Sequence, residues 1–363
     1  PGMQPPLRLQ QKWSLWVAAW AVGGCAPSPG TEGADVGDIR PRWAERFHWE
    51  DGGRVLVLHG EEEVRLVHEE PRAGERTLGA GEGIATWSTT HVALMEAFGG
   101  LDHWAGASGC QYLHSEEALA RLADGRARDF EEDAGAALEQ LLWQPPAAVT
   151  TFPFHNPFDG VSLPDAVPVL PITEYLESHP LGRAEWMRAF GWLVGEAEAA
   201  DSAFAAVEAR YVRLRDEAAA HESEWYQVFT GSIDGDAFWA PSGNSFIARF
   251  LADAGVHYAF AAHEAPGSIP VDFEELIALN NQVDTWGVVW HDADSITWEE
   301  IAATHPVYAK LQPHSGAIFA ANTRTCDYFG ALVAAPDDLL ADLIDLFHGE
   351  GGGVGCFEWI ETP

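Results

Sequence analysis

Residues Ala200 to Ala220 read ADSAFAAVEARYVRLRDEAAA, and this stretch decides the fold. Phe204, Val207, Tyr211, Leu214 and Ala218 recur at steps of three and four, which places them along one side of a helix. Arg210, Arg213, Arg215, Asp216 and Glu217 fall mostly on the other sides, and no Gly or Pro interrupts the run. A second helix is predicted over Arg183 to Val194, after the stop signal His179-Pro180-Leu181-Gly182. The long helix lies near the middle of the chain and predicts two similar lobes joined by one rigid rod.

The similarity of the lobes can be read on either side of the rod. Before it stands Leu138-Glu139-Gln140-Leu141-Leu142, then a Pro-Pro break, then the apolar run Ala147 to Phe152. After it stands Phe273-Glu274-Glu275-Leu276-Ile277, then Asn280-Asn281, then Val283 to Val289. Each reads as a short helix opening with a carboxylate, a turn and a buried strand. A shift of about 135 residues superposes the two, a length suited to one domain.

A chain of 363 residues that is 47% hydrophobic can bury one large or two medium cores. Its 20 basic residues are diluted by 56 acidic ones, and the net charge of −36 argues against nucleic acid as a partner. The first 25 residues read as a leader. Arg8 and Lys12 precede the apolar run Trp13 to Val22, which is too short to span a bilayer. Val22-Gly23-Gly24-Cys25 then looks like a bacterial lipobox, with Cys25 the lipidated residue; an ordinary signal peptide is the alternative. Residues 26–39 follow as a flexible tether. Cys110, Cys326 and Cys356 are left, with no CxxC spacing, so a zinc site is not expected. One disulfide and one free thiol fit an oxidising compartment, and the pairing stays open.

Taken in order, Arg54 to His59 and Val64 to Val67 predict a β-hairpin at the edge of the first lobe. Ile84 to Ser88 predicts a strand, His91 to Phe98 a helix, His103 to Ala107 a strand and Ser115 to Ala123 a helix. In the second lobe, Glu224 to Phe229 predicts a strand, Phe238 to Asn244 a loop and Ser245 to Ala254 a helix. The Val283 to Trp290 strand, a helix near Trp298 to Ala303, the Gly316 to Ala320 strand and a last helix over Asp337 to Phe347 complete it. The alternation argues for α/β sheets covered on both faces. Expected boundaries are 40–180 for the N-terminal lobe, 181–222 for the helical backbone, 223–350 for the C-terminal lobe and 351–363 for a tail.

Five phrases in order then resemble one family. They are Ser88 to Gly100 (STTHVALMEAFGG), Glu174 to Met187 (EYLESHPLGRAEWM), Phe238 to Gly255, Gly267 to Leu276 and Cys326 to His348. The chain resembles substrate-binding proteins of ABC importers, in the branch that delivers ferric siderophores, haem or cobalamin. The resemblance implies an α/β fold of two Rossmann-like lobes joined by one long α-helix, with the ligand cleft between the lobes. It implies a monomeric carrier without enzymatic activity or cofactor, lipid-anchored in the cell envelope, whose partners are a metal-chelate ligand, an ABC permease and its ATPase. Glu139 and Glu274 would each dock one lobe on permease arginines, with Glu275 an alternative to Glu274.

Ligand residues are expected on loops at the carboxyl ends of strands. In the first lobe these are Trp87, Ser88, Thr89, Thr90, Tyr112, Phe152 and His155, with Tyr175 and Arg183 beside the rod. In the second they are Trp239, Asn244, Trp290, Arg324, Tyr328 and Phe329. Aromatics with sparse polar groups suit a large, partly apolar ligand. Arg183 has a second reading, as a helix-start residue bonded to Glu177 or Glu185. The 15 His are scattered with no HxH or HExxH run, although His155, His179 and His263 could meet around a free zinc or manganese ion. No GxSxG elbow supports an extracytoplasmic hydrolase.

Overall fold

The computed structural model describes residues 37–130, 134–153, 158, 167–220, 226–265, 267–291, 296–311, 317–349 and 352–362. The leader, Cys25 and His155 lie outside them. The described chain divides into two compact units. One is built between Thr31 and Arg213 and takes in Asp327–Leu339; the other runs from Leu214 to Cys326 and from Leu340 onward.

The first unit opens with a four-stranded sheet. Strands β1 (Phe47–Glu50), β2 (Val55–His59) and β3 (Glu63–Val67) pair antiparallel, and β4 (Glu75–Thr77) adds parallel to β3. The expected hairpin is therefore the centre of a sheet of its own. Its second sheet has the order β7-β6-β5-β8-β9, with every pair parallel. Here β5 is Ile84–Thr86, β6 Trp104–Ser108, β7 Arg128–Phe130, β8 Ala148–Thr151 and β9 Val169–Pro171. Helices α1 (Thr89–Glu96), α2 (Glu116–Ala123) and α3 (Ala134–Trp143) connect these strands. Ser88 and Ser115 cap α1 and α2, each side chain accepting from a backbone N–H of the first turn.

Helix α4 (Pro180–Val194) begins with Pro at its first position, is capped by His179 and stops at Gly195, whose φ is +81°. It is buried nearly all round, and Trp186 is fully buried against Phe47 of β1. Helix α5 (Ala197–Ala218) is the predicted rod; Phe204, Tyr211, Leu214 and Ala218 are buried and Val207 half-buried. Gly191 lets α4 and α5 approach, since a Cβ there would stand 2.3 Å from that of Ala200. The chain passes from the first unit to the second within α5, between Arg213 and Leu214.

Two glutamates from the EYLESHPLGRAE phrase organise the segment leading into β1. Glu185 is fully buried and accepts from the backbone N–H groups of Arg42, Trp43 and Ala44 at 3.0, 2.8 and 3.0 Å. Glu177 accepts from those of Glu45 and Arg46 at 2.9 and 3.1 Å, and from the Trp186 indole at 2.9 Å. Five consecutive donors are satisfied by two carboxylates. This answers where their hydrogen bonds go in a segment without a strand partner.

In the second unit the main sheet has the order β13-β10-β15-β16-β17. Strands β10 (Gln227–Thr230), β13 (His257–Tyr258), β15 (Thr285–Trp290) and β16 (Ala317–Asn322) are parallel, and β17 (Phe357–Ile360) is antiparallel to β16. A small antiparallel sheet, β11 (Ser232–Asp234), β12 (Ala237–Pro241) and β14 (Ser268–Val271), stands beside it. Helices α6 (Phe246–Asp253), α7 (Phe273–Asn280) and α8 (Trp298–Thr304) complete the connections. Trp286 is stacked between Phe229 and Tyr308, the rings 5.9 and 5.2 Å away.

Several expectations need correction. Phe238 to Asn244 is not all loop, because Ala237–Pro241 forms β12; Pro241 stands at the strand end, where its missing N–H is tolerated. The C-terminal segment contributes β17, held by a disulfide between Cys326 and Cys356, which leaves Cys110 free and buried. Glu139 does not open its helix but lies in the middle of α3, which starts at Ala134. Asp327–Leu339 groups with the first unit, not the second. Helix α9 (Ala331–Ala334) in this segment packs on α1 and α4, and α10 (Pro336–His348) then carries the chain back.

Candidate ligand-binding site

A parallel sheet gathers the carboxyl ends of its strands on one edge, where ligands bind in open α/β folds. In the first unit that edge receives Trp87 to Thr90 after β5, Tyr112 after β6, Phe152 after β8 and Tyr175 after β9. In the second it receives Trp290 at the end of β15 and Arg324 after β16. Trp239 lies on β12 of the small sheet, and Asn244 follows that strand.

Several of these side chains already have structural work. Ser88 caps α1 through its bond from the Thr90 N–H, at 3.2 Å. The Thr90 hydroxyl donates to the Phe329 carbonyl at 2.6 Å. Trp87 is buried and packs on Phe130 and Phe158, with centroids at 5.2 and 4.8 Å. The amide of Asn244 donates to the Glu264 carbonyl at 3.0 Å. Thr89, Tyr112, Phe152, Tyr175, Trp239, Trp290 and Tyr328 are half-buried, and Arg324 and Phe329 are exposed.

Tyr328 and Phe329, expected in the second lobe, belong to the segment that packs on the first unit. The signal that misplaces them is chain order: a return crossing has no mark in local sequence. Burial pushes the Tyr328 hydroxyl up to about 12, opposed by the nearby Arg183 charge. The two rings meet edge to face at 5.1 Å.

Arg183 pairs with neither Glu177 nor Glu185 but with Glu174, at 3.5 Å. Beyond Glu174 stands His91, fully buried, with Nε2 at 3.9 Å from the Glu174 carboxylate and Nδ1 at 3.1 Å from the Thr150 hydroxyl. Burial alone raises the Glu174 carboxyl; His91 and Arg183 reverse this and hold it below its ordinary range. His91 and Glu174 are site neighbours that residue-by-residue reading missed, although both lie in the phrases STTHVALMEAFGG and EYLESHPLGRAEWM.

Three indoles, of Trp87, Trp286 and Trp290, have buried Nε1 groups with no hydrogen-bond partner among the described residues. Buried donors are rarely left unpaired; Trp286 and Trp87 lie within packed cores, whereas Trp290 is half-buried at a strand end, where a bound molecule can supply the acceptor. His179, one of three His that could have met around an ion, caps α4 instead, its Nδ1 accepting from the Leu181 N–H at 3.0 Å.

Residues 139–314 match the family model described as periplasmic binding protein. A periplasmic haem-binding protein from Pseudomonas aeruginosa is similar to this chain with a TM-score of 0.59 and 17% identity, over 77% of this chain and 98% of its own. An ABC-type Fe3+-hydroxamate transport system protein from Saccharomonospora viridis is similar with a TM-score of 0.54 and 15% identity, over 78% and 96%. An uncharacterised lipoprotein of Methanocaldococcus jannaschii is 22% identical over 288 residues, 74% of this chain. The chain spans 65% of that relative. The structural likenesses establish the two-lobe fold of periplasmic binding proteins.

Proposed function

We propose that this protein is the substrate-binding component of an ABC importer for a bulky metal chelate: a ferric siderophore, haem or a corrinoid. The observation that carries the reading is the aromatic, sparsely polar set of residues at the carboxyl ends of both main sheets. Trp290, whose buried indole N–H has no partner among the described residues, is the clearest member. A free ion has no use for so much aromatic surface, whereas a porphyrin, corrin or aryl-bearing chelate does. The solved proteins of this fold named for haem and for Fe3+-hydroxamate support the same ligand class.

The chain works outside the cytoplasm, held to the membrane through a lipid on Cys25 and the tether that follows. No helix among the described residues is long and apolar enough to cross a membrane, so an anchor would lie outside them. Cys25→Ser releases the protein into a soluble extracytoplasmic fraction and abolishes fatty-acid labelling; labelling that persists in the variant refutes the anchor. The ligand reading is tested by tryptophan fluorescence. A ferric hydroxamate, a ferric catecholate, haem and cyanocobalamin are titrated in turn. Saturable quenching by one of them, lost or weakened in Trp290→Phe, is the expected result. Failure of all four to bind overturns it.

A further inference from the structure

We propose that Asp38, His48 and Glu50 form a binding site for a divalent first-row cation, with His59 as the outer residue that orients His48. One ligand atom from each of the three lies within 4.8 Å of the others. The site belongs to the four-stranded sheet, in the part of the chain that the family resemblance leaves unexplained.

The sheet places these groups together. Ile39 and Trp49 exchange backbone hydrogen bonds at 2.8 and 2.9 Å as an antiparallel bridge, which sets Asp38 opposite Glu50. His48 is two residues from Glu50 on β1 and so shares its face. Two carboxylates directly across a strand pair repel each other. Arg65 and Arg40 approach from outside, Arg65 bonded to Glu50 and Arg40 at 3.8 Å from Asp38. Arg40 is itself largely exposed, so its charge is screened by water.

The contact between two histidines supplies the outer support that a metal-bound ring needs. His59 Nε2 stands 2.9 Å from His48 Nδ1. In the tautomer that can bind a metal, His48 Nδ1 donates to His59 Nε2. In neutral His48 this turns the Nε2 lone pair toward the Glu50 carboxylate, 3.4 Å away. A lone pair facing carboxylates needs a positive species between them. A proton on Nε2 neutralises one carboxylate; a divalent cation serves both and uses the lone pair directly. A ring whose other nitrogen donates to a fixed partner is the usual form of a metal-bound histidine.

The His48 side chain is 7% exposed, Asp38 16% and Glu50 25%, so the nitrogen is held firmly while the oxygens reach water. One nitrogen and two carboxylates with open positions suit zinc, manganese or iron(II) and offer nothing to a soft thiolate-seeking ion. Ligand atoms of one tetrahedral zinc ion, each at ~2.1 Å, stand about 3.4 Å apart, so the side chains close by up to about 1.4 Å on binding. The ion would clip the first described residues onto β1.

The test uses the full chain with Ser at position 25 and Zn2+ as probe, in competition with a chromophoric chelator at moderate salt. One tight equivalent is expected. His48→Gln and Asp38→Asn each remove it, and His59→Phe weakens it about 10–100-fold. Amide exchange at Ile39 slows on adding Zn2+ to the unmodified sequence and not to Asp38→Asn. Asp38 is half-buried and lies outside the strands of the sheet, so its variant keeps a native circular dichroism spectrum and separates site loss from unfolding. If no tight equivalent is found, or if it survives both His48→Gln and Asp38→Asn, the proposal fails. Many weak, salt-screened equivalents mean only an acidic surface, and also overturn it.

Discussion

Arg183 and Glu174 form a buried ion pair, the guanidinium 3.5 Å from the carboxylate and both side chains about nine-tenths or more buried. Arg183 sits in the first turn of α4 and Glu174 in the short helical turn after β9, so the pair joins a strand end to the central helix. That bond gives Arg183 a structural role. A ligand anion reaching it has to share the guanidinium with Glu174.

Glu174→Gln is expected to destabilise the first unit by about 3–5 kcal/mol, because Arg183 keeps its charge without a counter-charge. Urea unfolding measures this. The pH dependence has a definite sign. The folded pKa of Glu174 is depressed, so its contribution is complete above the ordinary glutamate value of about 4.3 and is lost as pH falls through the lower folded value. Stability of the parent protein should therefore fall more steeply in that acid window than stability of Glu174→Gln. Equal slopes would show that the pair contributes nothing.

Glu185→Ala leaves three backbone donors in the Arg42–Ala44 segment without acceptors and also frees Arg188, which bonds the same carboxylate at 2.8 Å. Each buried orphan donor costs about 1–3 kcal/mol, so a loss of about 3 kcal/mol or more is expected. Hydrogen exchange should accelerate first at Arg42, Trp43 and Ala44. Unchanged protection there would show that water replaces the carboxylate at no cost.

The thiols give a chemical check on the second unit. Burial, with Asp129 adding to it, pushes the Cys110 thiol up to about 12, so it carries almost no thiolate at neutral pH. In a Cys25→Ser chain, native protein should react negligibly with a thiol reagent, and unfolding without reductant should expose Cys110 alone. Reduction then adds Cys326 and Cys356. Cys356→Ser should cost about 3–4 kcal/mol for a cross-link closing a loop of this size. A second thiol reactive before reduction rules the pairing out.

Much of this fold was legible because its signals are local. The spacing of Phe204, Tyr211 and Leu214 predicts α5, and Ser115 and Ser245 mark helix starts that the structure confirms as caps. Short strands such as Arg128–Phe130 and Val169–Pro171 escape, since three residues carry no period and owe their pairing to distant neighbours. The site was legible by place more than by role. Trp87 to Thr90 and Trp290 stand at strand ends, but Tyr328 and Phe329 belong to the first unit, not the second, Thr90 is bonded to Phe329, 239 residues away, and Arg183 to Glu174. Such partners depend on tertiary approach, which spacing along the chain does not encode.

The last prediction concerns Glu139 and Glu274. Both are exposed, on helices α3 and α7, which precede the strands pairing parallel with the first strand of each main sheet. Their topological places are therefore equivalent. For Glu274 the position in the first turn, after the Asp272 cap, gives a local reason for a carboxylate. Glu139 has no such reason in mid-helix, and neither residue makes an ion pair among the described residues. One turn on from Glu139 stands Trp143, 90% exposed, beside Leu142 at 53%, an apolar addition to an acidic contact surface. If the two glutamates dock the permease, each exposed charge contributes only about 0.2–1 kcal/mol, so single alanine variants should reduce transport severalfold at most. Glu139→Ala with Glu274→Ala should reduce it much further, while quenching by the bound chelate keeps its midpoint. Transport is measured in cells or in vesicles holding the cognate permease, with ligand affinity measured on the same preparations. A double variant that transports normally, or one that loses ligand affinity, removes the docking role from these residues.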